Sequence, residues 1–199
     1  MNRTKVMSRT RPYPLLTITG RAKKCGPAAL SAIGRVSTHF AAELLRHLFQ
    51  RTAINGTSEE EMVAALLWLG FTPTEMICSP KYRPWAENTP AGSLERVISD
   101  QVMSRLLTVR KGITLGKWLD SRREGIWIVC ASKHWFAYSD GQVADSGFWF
   151  GRKPIDWERS NPACEKVRFK RISHAIGFRT TWKVGKTDLN NDKSELIID

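Results

Sequence analysis

The chain has 199 residues, 42% of them apolar, and a formal charge of +12. That length suits one domain with tails, and such a domain buries roughly 70% of its unfolded surface without needing a covalent or metal staple. The four cysteines (Cys25, Cys78, Cys130, Cys164) form no C-x-x-C or C-x-x-H pair, which argues against a zinc motif or other metal site. No apolar run is long enough for a signal-peptide core or a bilayer span.

Residues 1–20 read as a basic arm. Seven basic residues and no acidic one precede Cys25 (Arg3, Lys5, Arg9, Arg11, Arg21, Lys23, Lys24), and Pro12 and Pro14 oppose a helix there. Cys25 then opens a helical pattern. Ala28, Ala29, Ala32 and Ile33 recur at helical spacing, Pro27 falls in the first turn and Gly34 marks the end. A second amphipathic helix carries Phe40, Leu44, Leu45 and Leu48, with Ser37 or Thr38 as cap. Asn55-Gly56 is a turn, and Ser58 with Glu61 forms a capping box that opens a third helix, stopped by Gly70.

Residues 72–92, with Pro73, Pro80, Pro84 and Pro90, read as an irregular loop. Residues 94–110 fit a polar amphipathic helix, and Leu115, Trp118 and Leu119 a short one. The character then changes. Residues 126–131 are a buried-strand run, His134 to Ser139 is aromatic and β-prone, and Asp140-Gly141 is a hairpin turn leading into Gln142–Asp145. Val167, Phe169, Ile172 and Ile176 suggest a last strand. Helices first and antiparallel strands second make an α+β fold. The domain runs from 21 to 183 and an acid-rich tail from 184 to 199.

Three residues can carry chemistry. Cys25 heads a helix, whose N-terminal N–H groups and partial positive charge stabilise a thiolate. A two-residue turn at Asp140-Gly141 sets a register in which Asp145 is a diagonal neighbour of His134, within reach to hold an imidazole in one tautomer. His39 and His47 share a helix face without acidic or thiol partners to complete a ligand set. The aromatic residues Trp127, Trp135, Trp149, Phe136, Phe148 and Phe150 read mostly as core, with some available to line a cleft.

Cys25-Gly26-Pro27-Ala28-Ala29-Leu30, the histidine before an aromatic strand at 134–136, and Val143-Ala144-Asp145-Ser146 after the turn together form a pattern. It resembles the papain-like cysteine peptidases that process double-glycine leader peptides of bacteriocins, and similar peptidase-like proteins of tailed bacteriophages. The resemblance covers residues 20 to 155. It implies a papain-like fold with Cys25 as nucleophile, His134 as general base and Asp145 as the residue that orients it. It implies no cofactor. The family carries a glutamine oxyanion donor about six residues before the cysteine; here that position is Thr19.

Two functions follow as expectations. One is a thiol hydrolase that cleaves a peptide or protein through an acyl-enzyme. The other is a weak or inactive descendant with a structural role, in a phage particle near DNA. The charge favours an acidic partner, DNA or protein, reached through the arm. The expected setting is a reducing cytoplasm, that of a host cell, or a virion, with no membrane partner, no disulfide and no metal.

Overall fold

The structure, a computed structural model, describes residues 13–19, 24–81, 89–121 and 124–180. The acid-rich tail and all of the basic arm except 13–19 lie outside the described residues. The elements in chain order are α1 (Cys25–Gly34), α2 (Thr38–Phe49), α3 (Glu59–Trp68), β1 (Phe71–Cys78), α4 (Leu94–Gln101), β2 (Leu107–Val109) and α5 (Leu115–Asp120), then β3 (Ile126–Ala131), β4 (His134–Ser139), β5 (Gln142–Ala144), β6 (Ile155–Asp156), α6 (Pro162–Val167) and β7 (Ile172–Thr180). The fold is mixed α+β, and among the described residues seven strands form one sheet in the order β2-β1-β7-β3-β4-β5-β6.

Local chemistry sets the helix ends. Ser37 accepts the Phe40 N–H at 3.1 Å and caps α2, while Thr38 is spent on the Thr19 carbonyl. The capping box of α3 is complete: the Glu61 N–H reaches Ser58 Oγ at 3.2 Å and the Ser58 N–H reaches Glu61 Oε2 at 2.8 Å. Gly34 ends α1 as its last helical residue, and the left-handed position falls to Arg35 (φ 57°). The glycine serves close packing, since a Cβ there would press on the side chain of Leu69, the residue that follows α3.

The sheet is covered on both faces, and the two-residue strand period sorts the core. On one face Ile126, Ile128, Cys130, Trp135 and Ala137 pack with α1, α2 and α3. On the other, Trp127, Val129, Ala131, Phe136 and Tyr138 pack with α5 and α6. A central strand buried on both faces must be apolar throughout, which explains the unbroken run at 126–131. Two-residue turns with both φ angles positive link β3 to β4 (Ser132, Lys133) and β4 to β5 (Asp140, Gly141).

The structure departs from the sequence reading in four places. First, residues 71–78 form a strand, not loop. Pro73 is accommodated because the β1–β7 register shifts between Pro73 and Glu75, a bulge where a missing N–H is tolerated. Second, the helix read over 94–110 stops at Gln101. Leu107–Val109 pairs in parallel with β1, so the sheet is mixed and draws a strand from the first half of the chain. Third, Val167 ends a short helix capped by Asn161, and Phe169 is exposed beyond it; the last strand starts at Ile172. Fourth, residues 13–19 belong to the domain rather than to an arm. Leu15 and Ile18 are buried in the helical-face core. Leu16 N–H bonds Ala32 O, Ile18 N–H bonds Arg152 O, both at 2.9 Å, and the Tyr13 hydroxyl donates to Ile33 O at 2.6 Å.

Candidate active site

Cys25 is the first residue of α1, and α1 packs against β4. His134 is the first residue of β4, next to the tight turn at Ser132-Lys133. The observed register, Ser139 with Gln142 through Ala137 with Ala144, puts Asp145 just beyond β5 and diagonal to His134. The structure therefore brings all three sequence-predicted residues together.

The contacts form a chain. His134 Nε2 meets Asp145 Oδ2 at 2.8 Å. The Cys25 thiol lies within interaction range of the His134 ring, and each group shifts the other's pKa toward the charged form. Asp145 is fully buried. It accepts backbone N–H groups of Gly147 (2.8 Å), Trp149 (2.7 Å), Phe150 (3.3 Å) and Gly151 (3.0 Å). One carboxylate thus orients the imidazole and folds the 145–151 loop around itself. That loop carries two rings onto His134: Trp149 at 4.7 Å and Phe148 at 5.0 Å between centroids.

Electrostatics separates Cys25 from the other cysteines. Burial alone would raise its pKa, but the hydrogen bond from His134 and the backbone N–H groups of Trp135 and Gly26 outweigh burial and bring it below the usual thiol value. Burial raises the other three thiols, Cys130 to about 12. Burial would lower His134, yet its bonds to Asp145 and Cys25 raise it to about 9. Asp145 goes the other way: burial raises it, and His134 with the loop N–H groups brings it below the ordinary carboxylate range. A lowered thiol beside a raised imidazole moves the pair toward thiolate and imidazolium, the state in which sulfur is nucleophilic.

The chain matches no family model, no curated protein and no solved structure. The chemistry of the site thus stands on its own geometry.

Other residues fall as follows. Thr19 is exposed at the end of the 13–19 stretch, and its carbonyl is held by Thr38. His39 and His47 are exposed, and among the described residues no group of His, Cys, Asp and Glu could hold a metal ion. The four cysteines are free. Of the aromatic cluster, Trp127, Trp135, Phe136 and Phe150 are core, while Phe148 is 71% exposed beside His134.

Sequence reasoning missed the polar floor under the site. Glu59, Glu60 and Glu61 are all buried, and Glu59 Oε2 lies 3.9 Å from His174 Nε2. Burial lowers His174 to about 4, so it is neutral at ordinary pH. Its ring stacks edge-on with Trp135 at 4.8 Å, and the Trp135 indole N–H bonds Thr57 O at 2.9 Å. Thr57 in turn abuts Gly26, where a Cβ would collide with its hydroxyl. Gly26 therefore allows α1 to start against the 55–58 loop. Spacing could not have linked residues 26, 57, 135 and 174. The Asp-x-Gly pattern at 145–147 was a usable signal for the loop that wraps the carboxylate.

Proposed function

We propose that the chain is a thiol hydrolase, a cysteine peptidase working through Cys25, His134 and Asp145 on a papain-like fold. The observation that carries the reading is the continuous contact from the Cys25 thiol to the His134 ring to the buried Asp145 carboxylate. A cysteine at a helix start that packs on a strand bearing the histidine, with the carboxylate from the following strand, supports the fold assignment.

In this mechanism the Cys25 thiolate attacks a carbonyl carbon and His134 as imidazolium gives its proton to the leaving amine. Water then enters, His134 takes its proton, and the acyl–sulfur bond breaks to release the acid and restore the thiol pair. Asp145 holds the ring orientation and stabilises the imidazolium. The Cys25 backbone N–H, at the positive end of α1, is the donor available to the oxyanion. With Thr19 where a glutamine donor stands in similar peptidases, one donor is missing, a loss on the order of 10²–10³ in rate. That same absence favours a second reading, an accessory protein of peptidase fold with little turnover, in a phage particle. The residues ahead of Tyr13, with Arg3, Lys5, Arg9 and Arg11, supply the contact for an acidic partner in either reading.

The test is incubation with a pooled peptide library, read by mass spectrometry, alongside mapped iodoacetamide labelling. A peptidase cleaves a subset of peptides, and Cys25→Ala abolishes every cut. Fast labelling of Cys25 with no cleavage supports the accessory reading. Labelling of Cys25 no faster than of a free thiol sinks both the activated nucleophile and the peptidase.

A further inference from the structure

Resting on the reading of Cys25 as nucleophile and His134 as base, we propose that Trp135 is a positioning residue of the site: it fastens the first turn of α1 to the strand that carries His134. Trp135 follows His134 in β4, is 4% exposed, and packs in the core shared with α1, α2 and α3. Its backbone N–H and its indole N–H reach the start of α1 by separate routes.

The backbone route follows from register. The turn at Ser132-Lys133 makes Ala131 with His134 the closing hydrogen-bonded pair, so Trp135 opposite Cys130 is a non-hydrogen-bonded position toward β3. Its N–H points to the other side of the strand. There the Asp140-Gly141 turn makes Ser139 with Gln142, and Ala137 with Ala144, the bonded pairs. The next in that series would join Trp135 to Ser146, but β5 ends at Ala144 and the chain wraps around Asp145 instead. The Trp135 N–H therefore lies outside the ladder. It is within interaction range of the Cys25 sulfur and favours the thiolate. The indole route runs through one loop residue. Trp135 Nε1–H donates to the Thr57 carbonyl at 2.9 Å. Thr57 stands against Gly26, where a Cβ would come 2.2 Å from Thr57 Oγ1 and 2.6 Å from Thr57 Cβ. The loop is anchored on its far side, because Ser58 caps α3 in the complete capping box. The residue after the base thus holds the loop on which the residue after the nucleophile rests. His174, 4.8 Å from the indole between centroids, packs against the ring from β7.

A tryptophan that only filled the core would change stability and leave the ionisation of Cys25 alone. The readout is therefore the pH profile of iodoacetamide labelling mapped to Cys25 on the full chain, with urea denaturation recorded for every variant. Trp135→Phe keeps a ring and the backbone N–H and removes the indole donor. It should move the profile to higher pH and slow labelling near neutrality by about three- to tenfold, the worth of one hydrogen bond. Gly26→Ala should shift the profile the same way by pressing α1 off Thr57. Adding Thr57→Gly removes the three atoms nearest the new methyl and keeps the carbonyl that the indole uses, so the double variant should return toward the wild-type profile. An unchanged profile in folded Trp135→Phe overturns the positioning role. Where that variant does not fold, the Gly26 pair decides: an unshifted Gly26→Ala, or a shift that Thr57→Gly fails to reverse, overturns it equally. These outcomes leave an activated Cys25 and the peptidase reading intact. A wild-type Cys25 that labels like a free thiol at every pH removes that reading, and the positioning role with it.

Discussion

Asp145 does two jobs with one carboxylate. It holds the imidazole through Oδ2, and it collects four loop N–H groups from Gly147 to Gly151. Removing it strands the buried Phe150 donor and three part-buried ones, and a buried donor left unpaired costs about 1–3 kcal/mol. Asp145→Ala should lose about 3 kcal/mol or more of stability by urea denaturation, together with the loop geometry. Asp145→Asn keeps the shape and drops the charge, so the His134 pKa should fall from about 9. The sign follows from His134 being raised above its unfolded value near 6.5. Its share of stability is complete below about pH 6.5 and is lost as pH rises through about 9. Wild type should therefore weaken across that window, and Asp145→Asn should show less of this loss. An Asp145→Asn protein with unchanged pH dependence, by denaturation or by the ring signals in NMR, would contradict the pairing.

At the scale of elements, the hairpin that delivers His134 turns through Ser132 (φ 48°) and Lys133 (φ 63°). Both lie in the left-handed region, where side chains other than Asn and Gly are disfavoured. The β3–β4 ladder on one side and the β7 pairing on the other hold the turn in place. Ser132→Asn with Lys133→Gly suits that turn type and should raise stability by about 0.5–1 kcal/mol. A gain in thermal midpoint with unchanged Cys25 reactivity is the expected result; a loss would mean the lysine side chain holds the turn. The Asp140-Gly141 hairpin was readable from sequence because that dipeptide states its own turn type. Ser132-Lys133 gives no such signal, so the turn nearest the site stayed hidden. For the same reason β1 was lost to Pro73 and β2 to a helical pattern: each is specified by its neighbour in the sheet rather than by its own residues.

The whole molecule draws its first stretch inward. Leu15 and Ile18 are buried, and Ser139 Oγ donates to Tyr13 O at 2.7 Å. Deleting residues 1–12 should leave the thermal midpoint nearly unchanged. Deleting 1–19 should lower it sharply, because two buried aliphatic side chains are worth about 1.5–3 kcal/mol each. If the shorter deletion also abolishes binding to duplex DNA, the basic residues are the contact. Binding by the intact protein should then fall with salt at a log–log slope of up to about −0.9 per phosphate neutralised. Equal DNA binding with and without residues 1–12 would discard that contact.

The identity and order of Cys25, His134 and Asp145 were legible in the sequence, as were the first three helices and the Asp140-Gly141 hairpin. These are local facts, set by capping, periodicity and one turn dipeptide, and the turn fixed the register that puts Asp145 beside His134. Tertiary structure alone decided which thiol is activated, because pKa depends on burial and on partners far along the chain: residue 134 for Cys25, and the Glu59 side chain for Cys130. It alone placed Gly26 against Thr57, and the Trp135 indole on the Thr57 carbonyl. Such pairs meet only when α1 and the 55–58 loop pack onto one face of the sheet, and contacts across that packing leave no periodic trace in the residues that make them.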